Sequence, residues 1–523
     1  MNQFERLPMF FERTVQSSRS YADPYRDVDV KVELTSPSGR VRVIDAFWEG
    51  GSTWRFRVTS TEVGEWRFRV FSPQAHDDFR HGGEGRFLIR PYAGPNPLYA
   101  HGPVRVSEDG THFVHEDGTK FFWLADTAWN GALKARLSDW LHYLEVRQNQ
   151  GFSVIQCVLT HWRAFPADMH GETALGREPE ARINPAFFRR LDEKVAAIAS
   201  KGLVPALVIL WAASPFDPGH YLPESEAIRL ARYIVARYDA YRPVWFLGGD
   251  GPYDRDVERW KRIGRATFDG DPDRKLVTLH PYGLCWTGDA FRDEPWFDFI
   301  GYQSSHKGTP ETAAWLVSGP PAAGWNREPM KPVVNLEPCY EAHNARPRTR
   351  TWTPQEVRFA LYTSLLVSPT AGVTYGHHGV WPWNEYAEEP IAHRGSGIAP
   401  PWYECLHSEG ARSVSHLKAF FSSLPWWKLR PYPQGVDDPA RDTDPERAAT
   451  CAVADDRSFG VAYFPAGSRA RLTCGAIWTA VTMRWFNPRT GEWSAPEGAA
   501  AGPIEPVDRE NDWALLIKPE EAR

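Results

Sequence analysis

Between about residue 120 and residue 425 the chain repeats one pattern eight times: a short apolar run, then a longer connecting stretch. The runs are Phe121–Ala125, Ser153–Leu159, Val204–Leu210, Val244–Leu247, Leu276–Leu279, Phe297–Tyr302, Pro332–Leu336 and Gly372–Tyr375. Short runs without polar alternation suit strands covered on both faces, as in a parallel sheet. Helical periodicity fills connections such as Pro185–Ser200, Glu224–Tyr238 and Pro354–Leu366; Pro-Ala-Phe-Phe opens the first and Lys201-Gly202 closes it. Eight strands alternating with helices predict an α/β fold, a (β/α)8 TIM barrel with loop insertions. A doubly wound sheet is the rival, but no Gly-rich phosphate loop follows the first strand.

The two ends read differently. Val28–Leu34, Val41–Ile44, Trp54–Val58, Trp66–Val70 and Arg86–Ile89 are short period-2 runs separated by turns, the last following Gly82–Gly85. They predict an N-terminal β-sandwich over residues 1–92. Four prolines in Pro91–Pro103 mark a linker, 93–118, ahead of a barrel over 119–427. Thr450–Ala454, Gly460–Phe464, Ala470–Thr473 and Val481–Phe486, with a hairpin turn at Asn487–Trp493, predict a smaller C-terminal β-sandwich over 428–523. The two sandwiches are expected to buttress the barrel or to help it form a homo-oligomer.

Composition removes several function classes. With 60 Lys+Arg against 66 Asp+Glu there is no basic excess for nucleic acid. No apolar stretch reaches 18 residues, and the first 15 residues lack a basic region followed by an apolar run. Neither a membrane span nor export is therefore expected, and the expected compartment is the cytoplasm. The six cysteines (Cys157, Cys285, Cys339, Cys405, Cys451 and Cys474) contain no C-x-x-C pair and read as thiols, not as a disulfide framework. Aromatic residues reach 14%, with 24 Trp. So many flat apolar rings suit the faces of sugars, which makes carbohydrate the expected partner.

Chemistry in such a barrel sits at the C-terminal ends of the strands. Two acids stand out there, Asp250 after Gly248-Gly249 and Glu337 in Asn335-Leu336-Glu337. They are 87 residues apart, about 29 per unit over three units, which places them on strands four and seven, across one pocket. Facing carboxylates are what glycoside hydrolysis needs: one protonates the leaving oxygen, the other attacks the anomeric carbon or activates water. Each is expected to perturb the other and so keep the acid protonated near neutral pH. Other readings of Asp250 are a helix cap or, with Asp254 and Asp256, a calcium loop, but the Gly and terminal Glu of an EF-hand are missing. His377 and His378 are adjacent, which does not suit a metal site. No G-x-S-x-G elbow and no G-x-G-x-x-G after a strand occur, which argues against serine-hydrolase and dinucleotide chemistry.

Three barrel segments, F-F-W-L-A-D-T-A-W (Phe121–Trp129), W-F-L-G-G-D (Trp245–Asp250) and N-L-E-P-C-Y-E (Asn335–Glu341), resemble the apiosidase-like glycoside hydrolases of the retaining (β/α)8 clan. The first zone resembles the β-sandwich that precedes this barrel, and the last resembles a collagen-binding-type β-sandwich domain. The resemblance implies a retaining mechanism with Asp250 as acid/base, Glu337 as nucleophile, and no cofactor or metal. The carboxyls are then expected about 5–5.5 Å apart. Candidate sugar-binding residues on the same face are Asp126, Trp129, His161, Trp162, Trp211, His280, Tyr302, Glu341, His378 and Trp381, with Tyr302 expected to donate to Glu337. Inserts at Ala164–Glu180, Lys307–Glu328 and Trp383–Pro401 are expected to wall off the pocket and favour release of a terminal sugar, a pentofuranose by resemblance. The alternatives are an endo-glycanase and a carbohydrate-binding barrel without turnover.

Overall fold

The computed structural model describes residues 9–73, 79, 83–168, 170–176, 182–269, 274–473, 477–500 and 503–520. Cys474, Gly82 of the first glycine-rich turn and part of the 164–180 insert lie outside the described residues. Eight parallel strands form one sheet: β1 (Trp123–Thr127), β2 (Val154–Val158), β3 (Val204–Trp211), β4 (Val244–Gly249), β5 (Leu276–Thr278), β6 (Ile300–Gln303), β7 (Val333–Glu337) and β8 (Gly372–Tyr375). Their order is β5-β4-β3-β2-β1-β8-β7-β6, the predicted barrel with β5 and β6 at its seam. Side chains stitch that seam. The Thr278 hydroxyl donates to Phe299 O at 2.7 Å and accepts from Gly301 N at 3.2 Å, while Asp298 accepts from Val277 N at 2.9 Å.

Every residue of β1 to β8 is buried, because helices cover the outside and side chains fill the inside. The helices Pro185–Ser200, Glu224–Tyr238 and Pro354–Leu366 stand where the periodicity predicts them. Inside the barrel, polar groups pair with one another. Trp123 donates to Thr374, Thr374 to Gln156 Oε1, and Gln156 Nε2 to Thr127 and to Leu336 O. This chain satisfies the buried amide and gives the site a fixed floor. The stretch after the prolines is more than a linker: Val104–Val106, Phe113–His115 and Lys120–Phe121 form a three-stranded sheet. Its Phe113 closes the N-terminal end of the barrel, 5.8 Å from the Trp123 ring and 5.2 Å from Phe299.

The N-terminal unit packs a three-stranded antiparallel sheet against a four-stranded one, around Trp54, Phe56, Trp66 and Val32. It is clamped to the barrel helices by buried ions. Arg57 and Arg237 both reach Asp192 at 2.7 Å, and Arg237 reaches Glu49 at 2.8 Å. Burial alone would raise the Asp192 pKa, but the two guanidiniums hold it well below the carboxylate range. The C-terminal unit has a six-stranded and a three-stranded antiparallel sheet. It is fixed by Asp512, which accepts from Arg358 of helix Pro354–Leu366 at 2.8 and 3.0 Å. Among the described residues no helix is long and apolar enough to cross a membrane.

Candidate active site

Along β4, Phe246, Gly248 and Asp250 follow the inward phase of a strand, so Asp250 leaves the barrel pointing over its mouth. A Cβ on Gly248 would collide with the Tyr253 ring, and one on Gly249 with Trp211, so only glycine lets these rings close on the strand end. Asp250 caps no helix; the next one begins at Val257 after Asp256. Glu337 reaches the same mouth by a different device. Tyr302 pairs with Asn335, but the next residue, Gln303, pairs with Glu337, leaving Leu336 as one extra residue on β7. Such a bulge re-aims a side chain. Asn335 turns outward to Ser304 and Ser364, whereas Gln303 and Glu337 face the pocket.

The two carboxylates meet at one imidazole. His280, just beyond β5 and fully buried, has Nδ1 3.6 Å from Asp250 Oδ1 and Nε2 3.4 Å from Glu337 Oε2. These are ion-pair contacts just outside hydrogen-bond geometry. Burial alone would lower the His280 pKa, but the two anions push it up to about 9. From the sequence the carboxylates are expected to act directly on each other; in the structure the His280 ring is in contact with both. Glu337 Oε1 lies 2.8 Å from His306 Nε2, and Oε2 accepts from Trp129 Nε1 at 3.2 Å. His306 Nδ1 accepts from Tyr340 N, so the proton on its ring sits on Nε2 and points at Glu337. Against the desolvation of burial, His280 and His306 hold Glu337 well below the usual carboxylate range, ionised at neutral pH. Asp250 accepts from Arg163 at 3.2 Å and from Gln303 at 3.1 Å. Both acids remain reachable, with 14% and 8% of their side chains exposed.

Four of the expected tryptophans gather beside the acids. Trp129 lies 5.0 Å from His280 and 5.4 Å from Trp211, and Trp211 lies 4.3 Å from Trp162. Trp381 adds its ring 6.3 Å from Trp162. The insert after β8 runs across this face. Asn384 accepts from Lys134 beyond β1, His393 stands 3.3 Å from Arg163 beyond β2, and Ser396 O accepts from Asn344 N beyond β7. By contrast, 307–328 is no wall: it carries the barrel's own crossover helix Pro310–Ser318.

Several expected sugar ligands turn elsewhere. Tyr302 does not donate to Glu337; it points outward, fully buried against Trp315, with no hydrogen-bond partner for its hydroxyl, because 302 and 303 lie on opposite faces of β6. Asp126 likewise faces out of β1 and is fully buried, accepting from Arg147 at 2.6 Å and Tyr143 at 2.7 Å. Glu341 is buried and accepts from the Tyr375 and Ser408 hydroxyls and Gly410 N, at the start of helix Glu409–Ser422. His378 accepts from Trp381 through Nδ1 and, through Nε2, donates to Gly397 O, so it fastens the insert rather than meeting a sugar. His161, whose pKa burial lowers to about 4, lies on Tyr221 at 3.2 Å and keeps Nδ1 unpartnered.

Arg163, Gln303, His306, Tyr340 and His393 belong to the site without having been singled out. Gln303 and Glu337 share the phase set by the bulge, which no residue pattern announces. Arg163 carried a usable signal, as a lone guanidinium immediately beyond a strand end. Among the described residues no cluster of His, Cys, Asp and Glu is arranged to hold a metal ion. A cavity of about 440 Å³ lies outside the barrel, between Leu316, Trp352, Phe359 and the C-terminal unit's Arg447, and touches neither acid.

Comparison with known proteins bears on the family and the fold. A model of the apiosidase-like catalytic domain matches residues 107–428, a domain of unknown function matches 3–73, and a collagen-binding-type domain described for a collagenase matches 440–518. No curated protein matches the chain. A family 5 glycoside hydrolase from Bacteroides vulgatus ATCC 8482 superposes with a TM-score of 0.70 at 20% identity, over 82% of this chain and 95% of that one. Another glycoside hydrolase gives 0.70 at 21% identity, over 82% and 100%. A candidate glycoside hydrolase from the same Bacteroides strain gives 0.68 at 16% identity, over 97% and 98%, so the likeness extends through both flanking sandwiches. At these identities the superpositions carry the fold, and the match over most of the barrel carries the kinship: this chain belongs to the apiosidase-like family and is a glycosidase.

Proposed function

We propose that the protein is a retaining, exo-acting glycoside hydrolase that releases a terminal pentofuranose, such as apiose, from oligosaccharides or plant glycosides. The observation that carries the mechanism is the convergence of Asp250 and Glu337 on one buried imidazole. Two acids in contact with one ring at the barrel mouth support their acting on one bond, and the retaining course rests on the family. Glu337, ionised and held by His306, Trp129 and His280, attacks the anomeric carbon. Asp250 protonates the departing oxygen and then takes the proton of the incoming water. Trp129, Trp162, Trp211 and Trp381 supply apolar faces for the sugar. The insert bridging the loops beyond β1, β2 and β7 supports a pocket over an open groove, and so terminal release over internal cleavage. The pentofuranose rests on the family.

A panel of 4-nitrophenyl furanosides and pyranosides, with the product anomer followed by NMR, tests this. Release from one pentofuranoside with retained configuration is expected. An inverted product, or hydrolysis within a polysaccharide chain, contradicts it.

A further inference from the structure

At the end of the barrel away from the acids, a cleft of about 120 Å³ opens where three parts of the chain meet. Arg40 and Arg42 reach it from the N-terminal unit, Arg105 from the small sheet Val104–Val106, and Arg242, Arg274 and Lys275 from the barrel. Pro243 and Leu276 also line it, and they lead into β4 and β5. Asp250 and His280 follow the other ends of those strands, β4 alone spanning about 20 Å. Six cations thus meet two acids, Glu116 and Asp239, in a chain whose net charge is −6. Three of the six have carboxylates of their own: Arg105 has Glu116, Lys275 has Asp239 at 3.2 Å, and Arg274 has Asp298 at 2.8 Å. Arg242 is only 7% exposed and, among the described residues, has no carboxylate in ion-pair contact. Its guanidinium lies over the Tyr99 ring at 5.5 Å and donates to Leu98 O and, at 3.5 Å, to the Thr59 hydroxyl. Burial pushes its pKa down, and Tyr99 and Glu116 raise it by less.

Other buried arginines of this chain are neutralised from within. Arg57 and Arg237 share Asp192, and Arg358 has Asp512. Arg292, which also lacks a carboxylate, spends its donors on three carbonyls, Gly324 O, Arg327 O and Pro329 O. A buried charge without a counter-ion is costly, and a guanidinium offers a fork of N–H donors that fits phosphate or carboxylate. A planar carboxylate serves one fork. A phosphate group carries up to two charges and three terminal oxygens, and so meets cations on several walls at once. We infer that this cleft binds the phosphate group of a small molecule, with Arg242 as its principal ligand and Arg105 and Lys275 beside it. An adjoining chamber of about 260 Å³, which shares Arg42, Thr59, Asp239 and Lys275 with the cleft, has room for the rest of the molecule. Bound there, the ligand ties the N-terminal unit to the barrel, independently of the sugar chemistry at the other end.

The test is calorimetric titration of the full chain with inorganic phosphate and with glucose 6-phosphate, sodium chloride holding the ionic strength constant. One saturable site is expected, weakened at least about tenfold in Arg242→Gln. Tighter binding of the ester identifies a phosphorylated metabolite as the ligand, and equal or tighter binding of inorganic phosphate identifies the free ion. Because Arg242 is buried, Arg105→Glu is the second variant. That side chain is 51% exposed, so folding is kept while a cation at the cleft becomes an anion. It is expected to weaken the same site at least about tenfold, and it decides alone if Arg242→Gln does not fold. Absence of a site for both probes, affinity unchanged in either folded variant, or tighter binding of citrate than of either phosphate overturns the proposal. Binding in the sugar pocket at the opposite end of the barrel is left unchanged by both variants, and so counts against the cleft.

Discussion

Nε2 of His280 stands 3.4 Å from Oε2 of Glu337, both buried, so the base and the carboxylate stabilise each other's charged forms. The raised His280 and the lowered Glu337 are two views of one interaction and are not added. For the histidine, whose pKa rises from 6.5 to about 9, the stabilisation is complete below 6.5 and lost as pH climbs through 9. For the glutamate, lowered from 4.5, it is present above 4.5 and lost as pH falls through the lower folded value. Thermal stability is therefore expected to be highest between about pH 4.5 and 6.5 and to decline from there as pH rises toward 9. In His280→Gln the alkaline decline should vanish, and the alkaline limb of kcat/KM should shift with it. Melting curves and pH–rate profiles of the two proteins check this.

Asp250→Asn separates the acid from its surroundings. Loss of the proton donor is expected to cost about 10²–10⁴-fold on glycosides with poor leaving groups and far less on activated aryl glycosides, whose departure needs little protonation. Added azide should restore turnover of the activated substrate and yield a glycosyl azide of retained configuration. A uniform loss on both substrate types would assign Asp250 a positioning role.

Asp126→Asn tests whether the strand-one aspartate serves substrate or structure. Removing one partner of a fully buried pair is expected to cost about 3–5 kcal/mol of stability, because Arg147 is left uncompensated. KM measured well below the melting temperature should be unchanged. A raised KM with intact stability would return Asp126 to the pocket.

Tyr302→Phe is the complementary control. With its hydroxyl facing away from Glu337, kcat/KM is expected to stay within about twofold of wild type. His306→Ala removes a donor aimed at Glu337 and should cost about 10²-fold in kcat. Steady-state kinetics of the two variants rank the two candidate donors directly.

The barrel was legible because its strands are continuous apolar runs at regular spacing, and three of its helices begin and end at Pro, Gly and polar boundaries. The carboxylates were legible for the same reason, since residues beyond strand ends occupy the mouth. What failed was the face of individual residues. Asp126 and Tyr302 lie on strand ends yet point outward, and a one-residue slip in phase is invisible when every strand position is buried and apolar. The bulge at Leu336 is a further case: it aligns Gln303 with Glu337 through a register that depends on two strands at once. His280 was found, but its place between two acids arises only when β4, β5 and β7 close into a cylinder. Lys307–Glu328 was misread as a wall because its short helix, Pro310–Ser318, follows a run of turn-forming residues.

The most direct measurement is mass spectrometry of protein inactivated with a 2-deoxy-2-fluoro glycoside of the released sugar, digested and sequenced. The account predicts one sugar added per chain, on the peptide carrying Glu337, with no adduct in Glu337→Gln and no more than a hundredth of wild-type turnover in that variant. A sugar on another residue, or turnover above a tenth of wild type in Glu337→Gln, would contradict it.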